Sequence, residues 1–206
     1  MENDRIAIST IFLAIRRSRI PILTIALAHL TGVLIGILMV HGGVSLALDT
    51  RDSIVGRVYN GSDPTINALQ NGQPLIAALS DFGANLFQGA VPSTLSGLGV
   101  IFPYPIALYR GWVGGIVSVD GSHISRFAQP GEAVYYVITL LLQLIPYSLA
   151  GGAGVHLGLA YYRSHSGAGK SRWFELPEPE LRDVARIYLL VVPLFLIASL
   201  WEFLAR

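Results

Sequence analysis

The sequence contains no cysteine and few charged residues, and each absence excludes a class of structure. Without cysteine, the chain has no disulfide, no thiolate metal site and no cysteine nucleophile. Only 13% of its 206 residues are charged, whereas soluble domains carry about 25%, and the mean hydropathy is +0.56. So little polar surface cannot cover a globule in water. The composition therefore predicts an integral membrane protein, and the length predicts one transmembrane domain over residues 1–206.

An excess of either charge is also lacking. The chain has 14 lysines and arginines and 13 aspartates and glutamates, so its formal net charge is +1. This balance argues against nucleic acid and against an acidic substrate as partner. The expected partners are the lipid bilayer and other membrane protein chains, in a homo- or hetero-oligomer.

Long apolar segments predict an all-α polytopic bundle of about five transmembrane helices. Residues 20–48 form the clearest span, because about 20 apolar residues already cross the hydrocarbon core of a bilayer. Residues 79–119 are long enough for two spans, with a turn or kink at Pro103 and Pro105. Residues 132–162 and 184–204 supply the remaining two.

Polar segments separate these spans and predict the topology. We expect residues 1–19 to form a cytoplasmic or interfacial N-terminal segment and residues 163–182 a cytoplasmic loop. Residues 49–78 are expected to form an extracytoplasmic loop with at most a short amphipathic helix. Lysine and arginine are concentrated in the segments predicted to lie on the same side of the membrane as the N-terminus, and cytoplasmic segments are enriched in both. The sequence thus predicts a multi-pass protein of the cell (plasma) membrane, with a cytoplasmic N-terminus and an extracytoplasmic C-terminus.

Small residues recur every four positions in three predicted spans, which is the spacing of one helix face. Lipid gives helices no hydrophobic reason to associate, so close backbone approach at small residues must supply the contact. We interpret these residues as helix-packing positions: Gly32, Gly36, Gly111, Gly115, Ala150, Gly154 and Gly158. Three such faces predict self-association or docking to a partner. The backbone groups freed at Pro146 are expected to be met by neighbouring helices or by Ser148. A substrate path along this broken helix is the alternative.

Residues 143–158, QLIPYSLAGGAGVHLG, resemble the signature of the stage II sporulation protein M family. In that signature a Glu-Leu-Pro-Ala run leads into Ala-Gly-x-x-Gly-x-x-x-Gly. The matching residues are Ala150, Gly151, Gly154 and Gly158, and Gln143 stands where the family usually has glutamate. Residues 85–115 are also similar, at Asn85, Gly97, Gly111 and Gly115, with Arg110 in place of an asparagine. The closing span fits the family at Ala198 and Glu202.

The resemblance covers residues 20–206 and implies five transmembrane helices with no known enzymatic activity. The sporulation member of the family acts at the envelope, alongside peptidoglycan-degrading partners, during engulfment. The resemblance therefore implies a scaffold or a subunit of a membrane complex, with envelope remodelling as the process that the sporulation member suggests. It does not imply a cofactor, a metal or a catalytic residue.

Three polar residues lie within predicted spans: Asn85, Arg110 and Gln143. An arginine at mid-membrane costs about 2.5–3.5 kcal/mol, so Arg110 needs a route to the interface, a partner in the bundle or a lipid headgroup. We expect Gln143 to be a structural hydrogen-bond node whose partner is Asn85 or Arg110. If the three polar groups faced one cavity, the chain would instead be a transport protein or permease subunit.

His29 and His41 raise the remote alternative of a haem- or pigment-binding subunit. Twelve residues of helix separate them by about 18 Å, which is too far for one metal. Catalysis has little support, because neither Gly-x-Ser-x-Gly nor His-Glu-x-x-His occurs. We interpret SGAGKS, residues 166–171, as a basic cytoplasmic loop rather than a phosphate loop, since the first glycine of that motif is absent.

Overall fold

The computed structural model describes residues 2–59, 63–165 and 176–205, and the side chains of 9–57, 63–164 and 176–205. Two helices come first, α1 (Glu2–Arg17) and α2 (Arg19–His41), with only Ser18 between them. The SGAGKS segment lies outside the described residues. The remaining helices are α3 (Ser45–Tyr59), α4 (Pro64–Gln70), α5 (Pro74–Gly83), α6 (Val91–Ser96), α7 (Pro103–Ile116), α8 (Pro130–His165) and α9 (Glu178–Leu204).

Helices α5 and α6 belong to one continuous helical rod. A π-helical segment (Ala84–Ala90) joins them, and a 3-10 turn (Gly97–Gly99) ends the rod. Val100 then has a positive φ of 57°, and α7 begins at Pro103. A proline at the first position of a helix is favoured because its missing N–H would have no partner there. The predicted turn at this point is confirmed.

Helices α2 and α7 run side by side in the same direction. Gly32 lies against the backbone of Leu108, and Gly36 lies against that of Trp112. Helix α8 runs the opposite way, and α9 again reverses. The pairs that show these reversals are Tyr136 with Gly114, Arg110 with Tyr147, Tyr147 with Phe195, and Gln143 with Glu202.

Three of the described helices are long and apolar enough to cross a membrane: α2, α8 and α9. Their outward faces carry large apolar side chains; on α2, Leu23, Leu27 and Leu38 are more than 60% exposed. The inward faces build the main core, which joins Tyr147 of α8 to Phe195 of α9. The chain is therefore a helical membrane protein whose apolar residues cover both the inside and the outside of the bundle.

The segment expected to be an extracytoplasmic loop is mostly helical. The first span ends at His41 rather than Leu48, because Gly42 and Gly43 form a turn in which Gly43 has a φ of +71°. Helix α3 follows and buries Ala47 against Ile116 and Val119. With α4 and the start of α5, residues 49–78 contain three helices instead of at most one. The prediction missed these helices because their apolar segments are too short to be recognised as membrane spans.

The other predicted boundaries shift by a few residues. The cytoplasmic loop expected at 163–182 is shorter, since α8 continues to His165 and α9 begins at Glu178, directly after Pro177. At the opposite end, an antiparallel bridge between Val119 and Ser125 closes the connection to α8. These connections lie at the two ends of the helical bundle, and the polar residues described next lie between them.

A polar cavity and a hydrogen-bond network inside the bundle

The glycines of α2 and α7 hold these two helices in backbone contact. A Cβ added at Gly32 or Gly36 would collide with the carbonyl oxygen of Leu108 or Trp112, and one at Gly111 or Gly115 would collide with a carbonyl of α2. Only glycine permits this approach. The four residues therefore form a helix-packing interface, and the interface lies within one chain.

The small residues of α8 make a second interface, with α6 and the 3-10 turn after it. Gly154 lies against the backbone of Thr94, and Gly158 against that of Gly97. The Thr94 hydroxyl donates a 2.9 Å hydrogen bond to the Ala150 carbonyl. All three predicted small-residue faces are thus filled from inside the chain, so they leave no glycine face for a partner.

Helix α8 continues through Pro146. Neighbouring helices or Ser148 were expected to meet the backbone freed by this proline, and Ser148 does not. Its hydroxyl oxygen is buried and has no hydrogen-bond partner among the described residues.

A network of short hydrogen bonds joins α5, the π-helical segment, α8 and α9. Asp81 accepts hydrogen bonds from Ser199 Oγ at 2.6 Å and from Asn85 Nδ2 at 2.9 Å. The Tyr147 hydroxyl donates to Asn85 Oδ1 at 2.6 Å. Ser199 and Tyr147 are buried, and a buried polar group is stable when it is fully bonded. Asn85, predicted as an intramembrane polar residue, is therefore a bonded member of the packed core.

Arg110 extends from α7 toward α8. Its guanidinium carbon lies 4.2 Å from the centre of the Tyr147 ring, a cation–π contact. Its Nε atom is buried without a hydrogen-bond partner in the described part of the chain. The guanidinium therefore lies inside the bundle, next to the ring that also bonds Asn85. The residue in contact with the guanidinium is Tyr147, rather than Asn85 or Gln143.

Gln143 is a hydrogen-bond node, but its partner differs from the expected one. Its Nε2 atom donates to Glu202 Oε2 at 3.1 Å, which links α8 to the end of α9. The Tyr135 hydroxyl donates to the Glu202 carbonyl, and Trp201 Nε1 donates to Thr139 Oγ1. Glu202 follows the long apolar run of α9. The antiparallel packing of α8 and α9 brings it back to Gln143.

A cavity of about 780 Å³ lies between α7 and α8, bounded also by α2, α3 and α9. We call it the α7–α8 cavity. It brings Arg110 and Gln143 together with groups that the sequence did not connect, whereas Asn85 does not line it. Its polar lining residues are His29, Arg57, Tyr109, Arg110, Tyr136, Thr139, Gln143, Tyr147 and Glu202.

The two histidines of α2 have different surroundings. His41 Nδ1 lies 2.9 Å from the Ile37 carbonyl oxygen, and its Nε2 lies 2.9 Å from the Ser125 hydroxyl, so both ring nitrogens are engaged. His29 is buried and lines the α7–α8 cavity, and its Nδ1 has no hydrogen-bond partner among the described residues. His29 is thus a packed residue of the cavity wall.

Each end of the bundle carries an ion-pair cluster. At the α3 end, buried Arg51 contacts Asp52 at 2.9 Å, and His123 contacts the same carboxylate at 3.0 Å. The hydrogen bond from Arg51, followed by that from His123, lowers the pKa of Asp52 below its usual value. At the opposite end, Arg17 and Arg186 bind buried Asp183 at 3.2 and 2.9 Å.

Comparison with known proteins gives one family. The model of the stage II sporulation protein M family matches residues 24–204, from the first turns of α2 to the last residue of α9. No curated protein and no solved structure matches the chain.

Proposed function

This chain belongs to the stage II sporulation protein M family, and we propose that it is a non-enzymatic scaffold or subunit of a membrane complex, acting in envelope remodelling. The observation that carries the proposal is the network of Asp81, Asn85, Tyr147 and Ser199. A scaffold needs a rigid bundle, and this network fixes three helical segments with bonded polar groups in a packed core.

We further propose that the bundle crosses the cell membrane five times, from a cytoplasmic N-terminus to an extracytoplasmic C-terminus. The crossings are α2, the rod of residues 74–99, α7, α8 and α9, which alternate in direction. The rod has enough residues for a bilayer of about 30 Å, whereas α7 has 14 and needs a thinner bilayer or the residues after it. The basic residues Arg16, Arg17, Arg19, Arg163, Arg182 and Arg186 share one end, as cytoplasmic residues do.

The topology has a direct test, since the chain has no native cysteine. Single cysteines at Gly121 and Glu180, in cells treated with a membrane-impermeant thiol reagent, report the two ends. We expect labelling of Gly121→Cys in intact cells, and of Glu180→Cys only after the membrane is opened. In the proposed topology one crossing, α8, separates the two positions. Equal labelling of both cysteines in intact cells would contradict that crossing and the proposed orientation.

The scaffold role is tested by mild-detergent purification of the full chain at native expression. We expect a second membrane or envelope protein in stoichiometric amount, for which peptidoglycan-degrading proteins are the class that the family suggests. The glycine faces do not support this expectation, because they are filled within the chain. A chain that purifies alone, and whose deletion leaves the envelope unchanged, would contradict a scaffold role.

The α7–α8 cavity favours a second candidate, a transport protein or permease subunit. Arg110, Gln143 and Glu202 line one cavity, as the walls of a substrate path do. The test is solute or ion flux through liposomes that contain the purified chain. Flux lost on Gly114→Leu, which narrows the cavity, would favour transport over a scaffold.

A further inference from the structure

The α7–α8 cavity is elongated, and its two ends differ in polarity. Along α7 and the residue that follows it, the lining extends from Pro105 to Val117, and these 12 steps of helical rise measure about 18 Å. Glu202 lies toward the Val117 end, because α7 and α9 run in the same direction. Arg57 lies toward the same end, because Ile54, one turn earlier in α3, packs against the cluster that contains Ile116. Pro105 and Ile106 line the other end. A cavity of this form fits an amphipathic molecule with a polar group near one end.

Arg110 is placed between these two ends with hydrogen-bonding capacity to spare. Its Nε atom and Nδ1 of His29 are both buried without hydrogen-bond partners in the described part of the chain, and both residues line the cavity. Buried polar atoms are ordinarily bonded, so water or a ligand is expected to meet them. A guanidinium binds phosphate through paired charge-assisted hydrogen bonds.

The cavity is open on the outer side of α7. Tyr109 lines it and is 60% exposed, and Pro105 is also exposed. The neighbouring surface is apolar at Leu108 of α7 and at Ile101, just before α7. A molecule that enters between α7 and α8 therefore comes from the lipid phase, with its apolar part already in contact with these residues.

We propose that the α7–α8 cavity binds a membrane phospholipid, whose phosphate contacts Arg110 and whose acyl chain lies along Pro105 and Ile106. The polar rest of the headgroup faces the end lined by Arg57 and Glu202. This site does not depend on the scaffold role. It requires only that the chain lies in a bilayer.

Native mass spectrometry of the full chain in detergent tests the proposal. Dioleoylphosphatidylglycerol is compared with dioleoylglycerol, which has the same chains but no phosphate, and inorganic phosphate is added as a competitor. Arg110→Gln removes the cation, and Gly114→Leu fills the cavity. A Cβ at Gly114 would lie 3.9 Å from Leu140 and 4.0 Å from Val33, so the backbone accepts it. Arg182→Gln, an exposed charge change outside the cavity, is the matched control.

We expect the wild-type chain to retain phosphatidylglycerol about tenfold more tightly than diacylglycerol, a difference of about 1.4 kcal/mol. Arg110→Gln and Gly114→Leu should both lose this preference, and Arg182→Gln should keep it. Equal retention of the two lipids by the wild type would overturn the proposal. Inorganic phosphate that binds by itself and displaces the lipid would identify a site for the free anion instead. If Arg110→Gln does not fold, unchanged retention by folded Gly114→Leu would overturn the proposal.

Discussion

The two sides of α7 differ in how closely they are packed. One side touches α2 through Gly111 and Gly115, where the two backbones leave no room for a single added carbon. The other side, with Arg110 and Gly114, borders a cavity of about 780 Å³. Gly114 and Gly115 are neighbours in the chain, yet a Cβ added at Gly114 would make ordinary van der Waals contact and one added at Gly115 would collide with the backbone of α2. One short helix thus separates a tight packing interface from a site that has room for a ligand.

The largest expected loss of stability comes from adding a side chain on the packed side of α7. Gly36→Leu and Gly115→Leu insert a side chain against backbone that cannot move aside, and overpacking of this kind costs about 3 kcal/mol or more. Thermal unfolding in detergent should show a large loss or no folded protein. Gly114→Leu, on the open side, is the control and should unfold close to the wild type. Similar midpoints for Gly114→Leu and Gly115→Leu would remove the distinction between the two sides.

Tyr147 connects the cavity to the packed network, so its hydroxyl should matter next. Tyr147→Phe removes the 2.6 Å hydrogen bond to Asn85 and leaves that amide oxygen without its donor. An unsatisfied buried acceptor costs about 1–3 kcal/mol. Tyr109→Phe, at the exposed edge of the cavity, serves as the matched control. Equal stability of the two variants would show that the network does not stabilise the bundle.

Gln143→Leu should have a smaller effect. The side chain donates one hydrogen bond to Glu202, and hydrogen bonds between membrane helices contribute about 0.6–2 kcal/mol. We expect a modest loss of thermal stability in a chain that still inserts and assembles. Loss of function in a fully folded and assembled Gln143→Leu protein would place the residue in a working site and contradict a purely structural role.

The smallest effect is expected at the α3 end, from pH. The pKa of Asp52 is lowered below its ordinary value of 3.8, so its contribution is fully present above that value and is lost as the pH falls through the lower, folded-state pKa. The unfolding midpoint, measured from about pH 6 to about pH 3, should fall more steeply for the wild type than for Asp52→Asn. Parallel curves would mean that the cluster of Arg51, Asp52 and His123 does not stabilise the fold.

Local composition was enough to predict the helical class, the turn at Pro103 and the small-residue faces. Each of these depends on residues close together in the chain, so periodicity and proline chemistry reveal them. The partners of those faces were not predictable. Gly32 and Gly36 contact α7 because α2 and α7 run parallel. That direction depends on the number of helical segments between α2 and α7, which local sequence does not reveal.

The polar residues show the same division. Asp81 and Asn85 are four residues apart on one helical rod, a spacing that indicates contact. Nothing local links Asn85 to Tyr147 or Gln143 to Glu202, because those contacts come from the register between separate helices. The sequence therefore singles out Asn85, Arg110 and Gln143 as polar residues within apolar segments, and the packing decides which of them bond and which line the cavity.

Cysteine reactivity at α7 tests the contrast between its two sides most directly. Gly114→Cys places a thiol on the cavity side, and Ala107→Cys places one on the buried side, in a chain with no other cysteine. In detergent, a small water-soluble methanethiosulfonate should modify folded Gly114→Cys at least about tenfold faster, since modification requires an accessible thiolate. Equal rates at the two positions in folded protein would contradict the account of a helix that is closed on one side and open on the other.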